Sequence, residues 1–331
     1  MAAVLLLTLT AGLFVIAASL VWGGPVRPPP MPGLGEAFRS IPLDGLPPPS
    51  TYAGSDGTPL VYRTYRPRAT PKGSVTLVHG SSASGVSMHP LASALSAEGF
   101  VVFSLDMRGH GKSGVKGHID YIGQLDDDLA AFVTAVRPPS PSTLVGFSSG
   151  GGFVLRIAGG HRQALFDSYI LLSPFLSQEA PNQRPASGGW VSVGVPRILA
   201  LSVLNAVGIS ALNRLPVTAF ALDDQARTVL TPTYDFNLAT NFRPRSDYAA
   251  DIRNARTPRA VIAGSADEAF DTRELAWIFR SDQDQGWTVQ LLPGINHASL
   301  ILHPSAIAAA VDVVRTLQRR RASRLVQLSG P

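Results

Sequence analysis

The chain has 331 residues, of which 45% are apolar and 15% charged, enough for one large domain or two smaller ones with a sizeable core. It contains no cysteine, which excludes disulfides, thiol catalysis and cysteine-based metal sites. The net charge is +5, but the only basic cluster is Arg319-Arg320-Arg321, so we do not expect a nucleic-acid partner.

An uncharged apolar run opens the chain, AAVLLLTLTAGLFVIAASLVW at residues 2–22. As a helix rising about 1.5 Å per residue it would be about 31 Å long, close to the thickness of a bilayer's hydrocarbon core. No Lys or Arg precedes it, whereas a cleaved signal peptide usually has a basic start. We therefore expect residues 1–22 to form a single-pass membrane anchor. The alternative is a cleaved signal segment and a secreted or periplasmic protein.

The next stretch, residues 23–50, is rich in proline, with VRPPPMPG and GLPPPS. Such composition favours extended, semi-rigid chain, so we predict a linker between the N-terminal segment and a catalytic domain. The first basic side chains, Arg27 and Arg39, follow the apolar run and favour a cytoplasmic C-terminal side.

From Thr51 onward, strand-like and helix-like segments alternate. The apolar segments SVTLVHG, FVVFSLD, STLVGFS and YILLSPF indicate buried strands, and IGQLDDDLAAFVTAV indicates an amphipathic helix. The alternation stops after residue 177 and resumes at residue 257 with RAVIAGS and later WTVQLLPG. Repeated strand–helix units predict an α/β fold, with a mostly parallel central sheet covered by helices on both faces. Its core would be residues 51–177 and 257–325.

The interruption at residues 178–256 has an unusual composition. No acidic residue lies between Glu179 and Asp223, and residues 190–217 are rich in Val, Leu, Ile and Ala. We predict an inserted helical cap with an apolar inner face, since such lids exclude water and shape a substrate pocket.

The candidate nucleophile lies in LVGFSSGGG, where G-x-S-x-G fits only the frame centred on Ser148. Centring the pattern on Ser149 would need a glycine where Phe147 stands. The motif lies between a predicted strand and a predicted helix, as a nucleophile elbow requires. The turn is tight enough to need both glycines, and it points the N–H groups of the following helix at the site.

A serine nucleophile needs a base, and in this arrangement the order along the chain is serine, acid, histidine. Three of the seven histidines follow Ser148, namely His161, His297 and His303. His161 precedes the later strands that would supply the acid, and His303 begins the last helix. His297 follows the last strand, at the carboxyl edge of the sheet, so we assign it as the base.

The acid should follow the preceding strand, where VIAGSADEAFD offers Asp267, Glu268 and Asp271. Asp267 comes soonest after the strand, and it would fix the histidine tautomer and stabilise the imidazolium. Glu268 is the second candidate. The oxyanion needs two backbone N–H donors, for which we predict Ser149 and, after VTLVHG, Ser81.

Together these residues resemble the α/β-hydrolase superfamily, most closely its monoacylglycerol lipase, lysophospholipase and serine aminopeptidase-like branch. The resemblance implies hydrolysis of a carboxylic ester or related acyl bond through an acyl-enzyme on Ser148. It also implies a structural role for His110. The apolar cap, the predicted anchor and the low charge favour a lipid-like substrate. The remaining histidines lack the paired spacing of a metal site, and we expect no cofactor. The resemblance rests on GSDGTPLVYRTYRP with VTLVHGSS, GFVVFSLDMRGHGKSG, LVGFSSGGG, and AGSADEAF with GINHAS.

Two other interpretations remain open. The first is a serine aminopeptidase or acyltransferase with the same triad; Asp223 and Asp224 would be the cap carboxylates for a substrate amine. The second is an inactive hydrolase fold that serves as a binding protein. The presence of all three triad residues argues against the latter.

Overall fold

The computed structural model describes residues 1–31, 41–280 and 286–328. Eleven strands are found within these ranges. They are β1 (Pro49–Ala53), β2 (Pro59–Tyr65), β3 (Ser74–Val78), β4 (Val101–Leu105), β5 (Ser142–Phe147), β6 (Ser168–Leu172), β7 (Val191–Val193), β8 (Pro216–Phe220), β9 (Thr233–Asp235), β10 (Arg259–Gly264) and β11 (Thr288–Leu292).

Eight of these strands form the main sheet, in the order β1-β2-β4-β3-β5-β6-β10-β11. β2 runs antiparallel to β1 and β4, and every other neighbouring pair is parallel. The central strands β3, β4, β5, β6 and β10 are buried along their whole length, which explains their continuous apolar sequences.

Helices cover both faces of the main sheet. Phe132 and Phe153 belong to the hydrophobic cluster on one face, and Leu91 and Val311 to the cluster on the other. The predicted α/β fold is therefore confirmed. The helices are α1 (Ala2–Trp22), α2 (His89–Ala97), α3 (Gln124–Val136), α4 (Ser149–Ala158), α5 (Val195–Ala206), α6 (Asp224–Val229), α7 (Phe236–Asn241), α8 (Tyr248–Asn254), α9 (Leu275–Ile278), α10 (Ser299–Leu302) and α11 (Pro304–Leu328).

The insertion between β6 and β10 contains more than helices. β7, β8 and β9 form a small antiparallel sheet, separate from the main one, and α5, α6 and α7 lie between or after its strands. This sheet is not among the sequence predictions, which describe the insertion as helical. The domain boundaries drawn from the sequence stay predictions.

The apolar helix α1 does not have its predicted role. Within the residues that the structure describes, no helix has both the length and the apolar character needed to cross a membrane. The prediction of a membrane anchor is therefore wrong, and so are the membrane localisation and the membrane partner derived from it. The last turn of α1 lies against the insertion, where the Arg197 guanidinium donates to the carbonyls of Leu20 and Val21 at 2.8 and 3.1 Å.

The chain after α1 also contacts the insertion. Arg27 pairs with Asp224 at 2.6 Å, and the Met31 N–H donates to the Ala221 carbonyl at 3.1 Å. The other residue of the orientation argument, Arg39, lies outside the described residues. This part of the predicted linker therefore runs along the insertion.

Candidate active site

Ser148 lies on a sharp turn between β5 and α4, as the G-x-S-x-G pattern predicts. Its backbone has φ 55° and ψ −120°, a conformation that few non-glycine residues adopt. Two backbone hydrogen bonds hold the turn: the Ser148 N–H donates to the Leu172 carbonyl at 2.9 Å, and its carbonyl accepts from Phe175 at 3.0 Å. The strained residue is therefore fixed to β6 and to the chain that follows it.

The two glycines of the motif leave room for this turn. A Cβ atom on Gly146 would lie 2.2 Å from the Gly150 carbonyl oxygen. One on Gly150 would lie 2.3 Å from the His79 carbonyl oxygen and 2.7 Å from that of Val78. Backbone atoms cannot rotate away as a side chain can, so the elbow needs glycine at both positions.

His297 and Asp267 are brought together from separate loops. His297 follows β11 and Asp267 follows β10, and the His297 Nδ1 lies 2.8 Å from the Asp267 Oδ2. Both side chains are buried. The other carboxylate oxygen of Asp267 accepts the N–H groups of Ala269 and Phe270, each at 2.9 Å. These bonds fix the carboxylate so that it can orient the imidazole.

Two opposing effects act on the pKa of Asp267. Burial raises it, but the neighbouring His297, its hydrogen bond and the backbone donor at Phe270 together outweigh burial, so the pKa lies below its usual value. Asp267 is thus an anion near neutral pH, as the partner of an imidazolium needs to be.

The other two candidate acids have different contacts. Glu268 accepts the backbone N–H of His297 at 2.9 Å, so it fixes the loop and not the ring. Asp271 pairs with Arg273 and caps a short 3-10 helix. Of the three carboxylates, Asp267 is the one bonded to the His297 ring.

Ser81 and Ser149, the predicted oxyanion donors, lie side by side. Their hydroxyl groups share a short hydrogen bond, and both residues line a cavity together with Ser148. In the described part of the chain, neither backbone N–H donates to another group. The two N–H groups thus have no partner among the described residues, as the predicted oxyanion donors require.

A tyrosine of the insertion supports this oxyanion loop. The Tyr234 hydroxyl on β9 accepts the Ser82 N–H at 2.6 Å and lies 2.6 Å from the His110 Nε2. The Ser82 hydroxyl in turn donates to the Thr231 carbonyl at 2.6 Å. The insertion thus holds the loop that carries Ser81.

The His110 ring acts as the acceptor in this network. Burial, with a smaller effect of the nearby His79, holds the pKa of His110 well below its usual value, so the ring is neutral. Since Tyr234 accepts from Ser82, its own proton points to the His110 Nε2. The ring proton then lies on Nδ1, 3.2 Å from the Arg108 carbonyl oxygen. No part of this arrangement requires His110 to react.

Two adjoining cavities meet at the candidate triad, and Ser148 and His297 line both. The first extends under the insertion and is largely apolar. The second is bounded by Met31 of the N-terminal segment and by Trp190. The apolar walls of the first cavity include Phe175, Val191, Val193, Ile198, Val217, Phe220, Phe236 and Phe242.

The profile of the family described as serine aminopeptidase, S33 matches residues 69–301. The chain belongs to this family. The matched range contains the elbow and the loops of Asp267 and His297. The description of the family indicates a hydrolase.

Individual relatives agree with the family. Monoglyceride lipase of Mus musculus is 24% identical over 276 residues, which cover 80% of this chain and 86% of that protein. Monoacylglycerol lipase of Mycolicibacterium smegmatis is 31% identical over 128 residues, covering 38% of this chain and 45% of the relative. The latter match thus spans less than half of the relative's length.

Solved structures show the same fold. A soluble variant of monoglyceride lipase from Saccharomyces cerevisiae, in complex with a substrate analog, has a TM-score of 0.62 at 17% identity, covering 85% of this chain and 98% of that one. Monoacylglycerol lipase from Paleococcus ferrophilus has a TM-score of 0.58 at 19% identity, covering 77% and 98%. The predicted resemblance to this branch of the α/β hydrolases is confirmed.

Several residues of the site carry no signal in the sequence. Tyr234, Met31 and Arg243 reach the cavities or their supporting loops from segments without a recognisable motif. Tyr234 stands 152 residues after Ser82, its partner. The folded insertion brings Tyr234 and Arg243 to the site, and the N-terminal segment brings Met31.

Proposed function

We propose that the protein is a serine hydrolase that cleaves a carboxylic ester with an apolar acyl chain. The single observation that carries this proposal is the arrangement of one cavity: Ser148 on its strained elbow and His297, bonded to Asp267, line the same apolar space. The monoglyceride lipase relatives support a lipid-like ester as substrate.

In the proposed reaction the Ser148 hydroxyl attacks the ester carbonyl while His297 Nε2 takes its proton. Negative charge develops on the carbonyl oxygen, where the Ser81 and Ser149 N–H groups would stabilise it. His297 returns the proton to the departing alcohol, which leaves an acyl group on Ser148. Water, deprotonated by His297, then releases the carboxylic acid and restores the serine. Asp267 stays ionised and stabilises the imidazolium in both steps.

The contacts of the insertion favour an ester over an N-terminal peptide. Binding a substrate amine calls for a free carboxylate in the cavity, yet no Asp or Glu is among the described residues that line the first cavity, and Glu268, on the second, accepts the His297 N–H. Asp223 caps α6, and Asp224 pairs with Arg27. Among the described residues of that cavity wall, Arg243 is the one Lys, Arg, Asp or Glu, and it would repel an ammonium group.

The test is turnover of p-nitrophenyl esters from acetate to palmitate by the full chain. We expect activity to increase with acyl length, because the first cavity is apolar, and Ser148→Ala to lose nearly all of it. Ser149→Ala keeps the backbone donor and should lose much less than Ser148→Ala. Ser93→Ala, on α2 away from both cavities, is the matched control.

Different results would point elsewhere. Equal activity of Ser148→Ala and wild type would exclude Ser148 as the nucleophile. A folded chain that cleaves amino-acid p-nitroanilides and no ester would establish the peptidase alternative instead.

A further inference from the structure

Arg243 is an unpaired cation in the wall of the candidate active site. It follows α7, and its side chain lines the same cavity as Ser148 and His297. Among the residues that the structure describes, it forms no ion pair and no hydrogen bond. Two other arginines of the insertion, Arg197 and Arg245, have partners.

The lack of a partner is costly at this position. Arg243 is half-buried, and burial lowers the pKa of its guanidinium; the charge of Glu179 opposes this effect, and that of Arg156 adds to it. A buried charge normally has a partner, because removing it from water without compensation is unfavourable. A guanidinium held without a partner at a reaction centre is therefore suited to a ligand that brings the opposite charge.

The backbone around Arg243 fixes its position relative to the nucleophile. Its Cα would lie 3.4 Å from a Cβ atom placed on Gly152, and the following Pro244 would come within 2.8 Å of that atom. Gly152 is in the first turn of α4, the helix that begins directly after Ser148. The arginine is thus packed on the nucleophile's own helix.

We propose that Arg243 binds an anionic oxygen group of the substrate, a phosphate or a carboxylate, so that the ester acted on is an anionic acyl ester and not a neutral one. The inference rests on the proposed function and adds the substrate class. A guanidinium binds either group through paired N–H donors. The same cavity presents Gln178 and Thr240 as neutral hydrogen-bonding groups, and its apolar walls suit the acyl chain.

The test compares esters that share one acyl chain and differ in charge. The substrates are monodecanoylglycerol, its phosphomonoester decanoyl lysophosphatidate, and the decanoyl ester of glyceric acid, each below its aggregation threshold. The quantity measured is the ratio of kcat/KM for each anionic ester to that for the neutral ester. The two anionic substrates separate a phosphate preference from a carboxylate preference.

We expect the full chain to prefer one of the anionic esters and Arg243→Met to lower that ratio by about 10- to 100-fold, the loss of one charge-assisted pair. Arg243→Lys should keep part of the preference, because lysine keeps the positive charge but lacks the paired N–H donors of the guanidinium. Arg184→Met is the matched control: it removes the same charge from an exposed position of the insertion outside both cavities.

Three results would overturn the inference. They are a ratio that Arg243→Met leaves unchanged, an equal drop in Arg184→Met, and rejection of both anionic esters by wild type. In each case turnover of the neutral ester would leave the proposed function standing. If wild type cleaves none of these esters and no p-nitrophenyl ester, the proposed function fails as well. Circular dichroism of each variant separates lost binding from lost folding, and Arg243→Lys tests the idea if Arg243→Met does not fold.

Discussion

At the scale of single residues, the elbow depends on Gly150 having no Cβ atom. A Cβ atom on Gly150 would meet the carbonyl oxygens of His79 and Val78 at 2.3 and 2.7 Å. We expect Gly150→Ala to reduce the free energy of unfolding by about 1–3 kcal/mol or more, because only a shift of backbone can relieve the overlap. Thermal unfolding of the full chain measures this loss. Gly12→Ala, with no atom within 4 Å of the new methyl, is the control, and an unchanged melting temperature for Gly150→Ala would contradict the prediction.

The lowered pKa of Asp267 predicts a pH dependence of stability. A carboxyl group whose pKa is lower in the folded chain stabilises that chain above the ordinary Asp value of about 3.9. This contribution is lost as the pH falls through the folded value. Between pH 6 and pH 3 we therefore expect the unfolding free energy of wild type to fall more steeply than that of Asp267→Asn. Chemical denaturation at several pH values measures both slopes, and parallel slopes would refute the shift.

Single residues were predictable where chemistry fixes their spacing. Ser148 and His297 follow from a motif and from the order of elements, since the nucleophile and base must lie at the same edge of a parallel sheet. Asp267 was chosen over Glu268 from its distance to the strand end, and the structure bonds Asp267 to the His297 ring. Arg243 and Tyr234 could not be found this way, because their partners or cavity neighbours are remote in sequence.

At the scale of elements, β9 supports the oxyanion loop through one hydroxyl group. Tyr234→Phe would leave the Ser82 N–H and the His110 Nε2 without their partner at 2.6 Å. We expect kcat for an ester to fall about tenfold with a smaller change in KM, because the loop acts mainly on the transition state. Tyr248→Phe, whose hydroxyl makes no hydrogen bond with a described residue, is the control. Equal kcat and KM values for Tyr234→Phe and wild type would contradict the role of the Tyr234 hydroxyl in supporting the loop.

Arg108 connects the loop after β4 with α3 and with the turn between β1 and β2. The buried guanidinium bonds to Asp128 on α3 at 2.7 Å and to Asp56, in the turn between β1 and β2, at 2.8 Å. Arg108→Met leaves Asp128 buried without its cation, so we expect a loss of about 3–5 kcal/mol in unfolding free energy. Urea denaturation measures it. Arg162→Met, which removes a more exposed pair with Asp127 on the same helix, should cost about 1 kcal/mol or less. Equal losses would show that burial is not the cause.

The buried strands of the main sheet were predictable, whereas its edge strand β1 and the strands of the insertion were not. β3, β5, β6 and β10 are continuous apolar runs because helices cover both of their faces. β7 and β9 have three residues each, too few for a period-two pattern to stand out. The small sheet depends on tertiary pairing with β8, which no local sequence pattern records.

At the scale of the whole molecule, Arg197 connects α1 to the insertion. Its guanidinium donates to the Leu20 and Val21 carbonyls and to that of Pro216, at 2.8 to 3.1 Å. We expect Arg197→Met to loosen this contact and to increase the rate of chymotrypsin cleavage after the exposed Trp22 by about tenfold, the loss of one or two charge-assisted bonds. Mass spectrometry of timed digests measures the rate. Arg214→Met, at an exposed ion pair with Asp120, is the control. An unchanged rate would mean that α1 is held by other contacts.

The role of the N-terminus was misread at this same scale. Length and apolar composition alone favoured an anchor, whereas the structure places the end of α1 against α5 through Arg197 and the cluster that includes Leu20 and Leu201. An arginine 177 residues away supplies the contact, so the first residues could not reveal it.

The position of Met31 determines how far the N-terminus of this hydrolase can be shortened without changing the cavity. The boundary suggested by the sheet would begin the catalytic unit near residue 51, yet Met31 borders the cavity that also contains Ser148 and His297. A protein that begins at residue 51 would keep Ser148, Asp267 and His297 but would lose Met31 from the wall of this cavity. Kinetic constants measured on such a fragment would describe a cavity that lacks the Met31 side chain. Inhibitors selected against the fragment would be fitted to space that Met31 occupies in the full chain.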